Sequence, residues 1–175
     1  MKRFLDFGYN CEDSMMIFKT YKKILPIVVF FTDCCIPKRF GGYNVGPVNF
    51  IKPQYRNDLG LIYHEIFHSK QFWKNPVKYC LGRWLKYFKF LPEKWISWSY
   101  KKTFEFETEA YGFQLAFYVK HKFINTNETT ELLEKFATWV VTKYNIEGYS
   151  KQDALLAIRS HYLRFLQNLS IDPET

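Results

Sequence analysis

The spacing of apolar residues changes several times along the chain, and each change marks a predicted element. Ile27-Val28-Val29-Phe30-Phe31 is a continuous apolar run of β-branched and aromatic residues within Ile24 to Thr32, bounded by Pro26 and Asp33. That is the pattern of a short buried strand. Gly41-Gly42 reads as a turn. Tyr43 to Lys52 is a second extended piece with Gly46-Pro47 inside it and Pro53 at its end, which suits an edge strand or a hairpin arm. From Asn57 or Asp58, either able to cap a helix, Leu61, Ile62, Phe67 and Phe72 keep helical spacing until Asn75-Pro76 stops it. Pro76 to Lys102 reads as a helical hairpin broken at Leu91-Pro92. Helices then follow from about Thr103 to Lys122, Glu128 to Tyr144 and Lys151 to Leu169, the last opened by a capping-box-like Ser150 and Asp153. The predicted class is α+β, mainly α: a small N-terminal sheet followed by helices.

Composition narrows this picture. The chain has 175 residues, 47% of them hydrophobic and 21% aromatic, which suffices for one sizeable core, so a single domain is expected over 1–175. Lys+Arg outnumber Asp+Glu by 25 to 17, a net charge of +8 that favours anionic partners without choosing among them. Much of the excess sits in the hairpin, where Trp84, Trp95 and Trp98 alternate with Lys78, Arg83, Lys86, Lys89 and Lys94 against Glu93 alone. This segment reads as a membrane-surface or polyanion contact, as a lid, or as an ordinary amphipathic element with wet lysine stems. No apolar run approaches the ~20 residues of a spanning helix, and the residues after Met1-Lys2-Arg3 include Asp6, Asn10, Glu12 and Asp13. A cytoplasmic location without signal peptide or transmembrane segment is therefore expected. Cys11, Cys34, Cys35 and Cys80 suit free thiols in a reducing compartment.

The predicted helix after Asp58 carries the candidate chemistry. His64-Glu65-Ile66-Phe67-His68 is HExxH. Residues four apart share a helical face, so both imidazoles can reach one zinc ion while Glu65 stands beside them as a base. Zinc needs a third protein ligand and one position open for water, and the two histidines leave that ligand to another element. Glu105, Glu107 and Glu109 lie together on the predicted helix after Thr103. Glu107 and Glu109 are roughly 200° apart round a helix, so only one of them can face the metal. His121, about 21 Å along the helix from Glu107, cannot belong to the same site.

From about Val48 to Gln114 the chain resembles the gluzincin zinc peptidases. Their second helix offers a glutamate followed three residues later by a small residue, a pattern that Glu107 and Ala110 match, and Gln71 three after His68 is seen in small HExxHxxQ proteins. The resemblance implies zinc held by His64, His68 and Glu107, with Glu65 as general base in peptide-bond hydrolysis. Larger members often carry an acid four residues after the ligand, where this chain has Tyr111. His161, Tyr111 and Tyr149 are candidate donors to a developing oxyanion, each equally readable as an ordinary helix residue. The leading expectation is a small soluble metallopeptidase acting on a peptide or protein, with an edge strand around Val48 to Ile51 binding the substrate in extended form. The alternative is a basic binding or structural protein, such as a viral one, that keeps this scaffold and touches an anionic surface.

Overall fold

A computed structural model describes residues 14–19, 26–34 and 36–170. The expectations that rest on the first thirteen residues, on Ile24, and on Cys11 and Cys35 lie outside these. Strands β1 (Ser14–Lys19), β2 (Pro26–Phe31), β3 (Gly42–Val45) and β4 (Val48–Ile51) form one sheet in the order β1-β2-β4-β3. β1 runs antiparallel to β2, β2 parallel to β4, and β3 antiparallel to β4. Among the described residues five α-helices follow: α1 (Leu59–Lys74), α2 (Pro76–Trp84), α3 (Glu93–Lys120), α4 (Thr126–Lys143) and α5 (Lys151–Ser170). The fold is α+β and mainly α.

The continuous apolar run of β2 hides a period of two. Ile27, Val29 and Phe31 are fully buried and, with Ile51 of β4, meet Ile62 and Ile66 of α1. Val28 and Phe30 point the other way and are half-buried, with Phe30 stacked on Phe50 of β4. One face of the sheet therefore seats α1. The hairpin of β3 and β4 turns at Gly46-Pro47, where Gly46 has a φ of +63° that an L side chain would resist. The expected substrate strand, Val48 to Ile51, is not at the edge: β4 lies between β2 and β3, and the edge on this side is β3. Gly42 likewise opens β3 instead of completing a turn.

A second core lies among α3, α4 and α5, where Phe104, Tyr111, Leu115, Phe136, Val140 and Ile158 pack together. The predicted hairpin and the predicted helix after it are not separate. Pro92 caps α3, which runs unbroken for 28 residues, so the hairpin's second arm is the first part of the ligand-bearing helix. Pro92 limits only the start of a helix, and no residue between Lys94 and Thr103 stops one. The capping box at Ser150 forms as expected, with Asp153 accepting from the Ser150 amide at 2.8 Å and Ser150 Oγ accepting from the Asp153 amide at 3.1 Å.

Candidate metal centre

Helix α1 begins where the Asp58 side chain accepts from the Leu61 amide, and it buries a face that is largely polar: His64, Glu65, His68, Ser69 and Gln71. Of the apolar positions that announced the helix, Ile62 is fully buried, whereas Leu61, Phe67 and Phe72 are only half-buried. Phe67 stacks on Phe113 of α3 and against Phe165 of α5. Buried polar groups need partners, and α1 finds them on β3, β4 and α3.

Across from α1, α3 presents Glu107, fully buried. Its Oε2 lies 3.3 Å from His68 Nε2 and 3.7 Å from His64 Nε2. Two ligand atoms ~2.0–2.1 Å from a tetrahedral metal lie about 3.3–3.4 Å apart, so these spacings fit one ion. His64, His68 and Glu107 are buried and their ligand atoms all fall within 4.8 Å of one another.

Hydrogen bonding sharpens the fit. Gln71 Nε2 donates to the Phe106 carbonyl at 3.1 Å and to Glu109 Oε2 at 3.0 Å, both groups that only accept. Its Oε1 therefore faces His68 Nδ1, 2.8 Å away, and that nitrogen is the donor. In neutral His68 the Nε2 lone pair then points at a carboxylate oxygen 3.3 Å away, and Glu107 Oε2 has no hydrogen-bond partner. Two facing lone pairs repel unless a cation lies between them. The cluster could hold a metal ion, and its geometry supplies the reason.

The other oxygen of Glu107 is occupied. Arg83 Nη1 of α2 donates to Glu107 Oε1 at 2.9 Å and to the Tyr79 hydroxyl at 3.3 Å, while Tyr79 donates to Asn44 Oδ1 of β3 at 2.7 Å. Asn44 also meets Asn49 and Ser69, so a chain of polar contacts runs from the sheet edge through α2 to the ligand carboxylate. Burial alone would raise the Glu107 carboxyl, but the positive charge that His68 carries when protonated, the Arg83 guanidinium and the neighbouring His64 hold it well below its ordinary value. Arg83, despite burial, is held in its charged form by Tyr79 and Glu107.

Glu65 is buried at the junction of two cavities. Burial, outweighing the charge of His64, pushes its carboxyl up to about 7, where a group can take and return a proton near neutrality. Gly42 makes room for it: a Cβ there would lie 2.6 Å from Glu65 Oε1.

Glu109 takes the other role open to it. Its two oxygens accept from Gln71 and from Arg164 of α5 at 3.0 and 2.9 Å, so it orients His68 through Gln71. His64 has no such support: its buried Nδ1 lacks a partner among the described residues, and the Tyr111 ring packs against the imidazole with ring centres 4.4 Å apart. Tyr111 belongs to the site's wall, beside Tyr144, and burial raises both phenols. His161 does not come to the cluster. It lines neither cavity and packs where a Cβ on Gly112 of α3 would stand 2.5 Å from its own Cβ, away from the Glu107 face. Tyr149 stacks on Phe104 at 4.0 Å as a core residue and also lines neither cavity.

Sequence reasoning missed Arg83, Tyr79, Asn44 and Tyr144. In the sequence Arg83 stands among the hairpin's other basic residues, and only its place four after Tyr79 on one helical face hints at an inward role. Lys86 also turns inward: it is buried, donates to the Tyr144 carbonyl at 3.2 Å, and desolvation with the Arg83 charge lowers its amine to about 8. Comparison with protein-family profiles, curated proteins and solved structures returned no match. Among the described residues no helix is long and apolar enough to cross a membrane.

Proposed function

We propose that this chain is a zinc-dependent hydrolase, and most simply a small metallopeptidase. The observation that carries the reading is the buried trio of His64, His68 and Glu107 with an unpartnered carboxylate oxygen at its centre and Glu65 at the junction of the adjoining cavities. Two histidines and one carboxylate leave an open position on a tetrahedral ion, the donor set of catalytic rather than structural zinc. A bound zinc supplies Lewis-acid polarisation of a carbonyl and makes water acidic enough to lose a proton near neutrality. Glu65 takes that proton as the water oxygen adds to the scissile carbonyl carbon, then delivers it to the amine nitrogen as the C–N bond breaks, leaving a carboxylate and an amine. The substrate lies extended along β3, the edge strand whose Gly42, Tyr43 and Asn44 line the smaller cavity. Tyr111 and Tyr144, both lining the larger cavity, would be the donors to the developing oxyanion.

Metal analysis of protein purified without chelator tests the reading first, with one zinc per chain expected. Zinc-loaded Glu65→Gln protein should retain the metal and lose at least about 10²-fold in peptide hydrolysis, because the amide keeps the shape without the basicity. Near-full turnover in that variant would remove Glu65 from the reaction.

A second reading, contact with an anionic lipid surface, is supported by the exposed aromatic side chains of the segment from α2 to the start of α3. Trp84, Tyr87, Phe88, Phe90 and Trp95 are all exposed, Phe90 by 83%, among the exposed lysines Lys78, Lys89 and Lys94. Large aromatics beside lysines suit the boundary between lipid headgroups and acyl chains. The two readings are compatible, since Trp84 and Tyr87 also line the smaller cavity.

A further inference from the structure

The cavities that meet at Glu65 differ in size, about 400 Å³ on the α4 side and about 190 Å³ beside α2. Their charge is of one sign. The larger arm is lined by Lys38, Arg39, Lys52, Lys135 and Lys143, and the smaller by Arg39, Arg83 and Lys86. Against these stand two carboxylates, Asp58 and Glu65. Asp58 is engaged in capping α1 and in accepting from Tyr118 at 2.7 Å, and Glu65 is buried.

None of the five cations of the larger arm forms an ion pair among the described residues, although carboxylates elsewhere pair readily, as Glu134 with Lys151 and Glu109 with Arg164 show. Lys135 and Lys143 instead lie over one ring, their Nζ atoms 4.9 and 3.6 Å from the centre of Trp139. Burial and the Lys135 charge lower the Lys143 amine's affinity for its proton. Like charges crowded round a concave wall repel one another, and a cleft of one sign concentrates ligands of the other.

Resting on the peptidase reading above, we infer that the cleft selects acidic peptides: the carboxylates of the substrate occupy the wall of Lys38, Arg39, Lys52, Lys135 and Lys143 while its backbone passes Glu65. The indole of Trp139, over which two of the cations lie, adds apolar surface to the same wall. The site would then discriminate chiefly through affinity, with charge at a distance from the scissile bond steering the peptide in.

The test measures binding as well as turnover. A short peptide of alternating Glu and Ala and its Lys and Ala twin, each carrying a neutral dye, are titrated into zinc-loaded Glu65→Gln protein and followed by anisotropy. The acidic peptide should bind at least about tenfold more tightly than its twin and weaken steeply with added salt. Lys135→Glu with Lys143→Glu should erase most of that preference, whereas the charge-matched pair Lys89→Glu with Lys94→Glu, which lines neither cavity, should keep it. Thermal melting checks that each variant is folded, and the milder Lys135→Gln, expected to lose about threefold, serves where the double variant melts early. Equal binding of the two peptides, or a preference unmoved by the changes at Lys135 and Lys143, overturns the inference. Tight acidic-peptide binding with no hydrolysis by zinc-loaded wild-type protein would remove the enzyme and leave the acidic cargo. Hydrolysis that depends on Glu65 but favours the basic twin would do the reverse.

Discussion

His68, Gln71, Glu107 and Arg83 form a unit in which each side chain is held by the next. Gln71 fixes the His68 tautomer, and Arg83 takes one oxygen of Glu107, leaving the other to face the histidines. Groups that orient metal ligands typically contribute 10- to 100-fold in metal affinity. Arg83→Met should therefore weaken zinc binding by about that factor, read by competition with a chromophoric chelator, with Arg83→Lys falling between because a lysine gives one point charge without the guanidinium's fork. Unchanged affinity in Arg83→Met would show that Glu107 needs no such anchor. The same residues show what could be read from the chain. HExxH announces itself because helical spacing is local, and the ExxA pattern pointed to Glu107 over Glu109. Arg83 could not be read, since its partner lies 24 residues away and no local periodicity links them.

At the scale of elements, α1 and α3 carry all three candidate ligands, so the closeness of these two helices governs the site. Gly60 allows it at the start of α1: a Cβ there would lie 2.1 Å from the Tyr118 ring, whose hydroxyl donates to Asp58 and accepts from Gln114 at 3.0 Å. Gly60→Ala should push Tyr118 off the helix cap and destabilise the fold by about 1–3 kcal/mol, measured as a lower urea midpoint. A midpoint equal to wild type would mean that the tyrosine moves aside without loss. The segment from α2 to the start of α3 poses a different question. Lys86 is buried against Tyr144, so charge reversal there would damage the core and say nothing of lipid. Lys89→Glu with Lys94→Glu should instead abolish salt-sensitive binding to vesicles containing phosphatidylserine, and Phe90→Ser should weaken it at every salt concentration. Binding that survives both changes would place the contact elsewhere.

For the molecule as a whole, the candidate metal site joins two cores. One lies between the sheet and α1 and the other among α3, α4 and α5, and the ligands span the seam between them. An ion that binds only the folded chain stabilises it by about 2.7 kcal/mol at a hundredfold excess over its dissociation constant, which for a chain of this length corresponds to roughly 5–10 °C in melting temperature. Zinc should raise the melting temperature of the wild type by about that much and that of Glu107→Gln much less; equal shifts would put the metal elsewhere. The chain's own pattern was enough for the α+β class, the helix that bears HExxH with its stop at Asn75-Pro76, and the capping box of α5, because turns, caps and periodicity act over a few residues. It was not enough for the strand order, which puts β3 and not β4 at the edge, since pairing joins residues through hydrogen bonds that any extended segment can make. Nor did it separate surface from core among the cations. Lys86 and Arg83 sit in a run of lysines and aromatics that looks uniform in sequence, and only the packing of α2 against α3 and α1 decides which charges leave water and which remain in it.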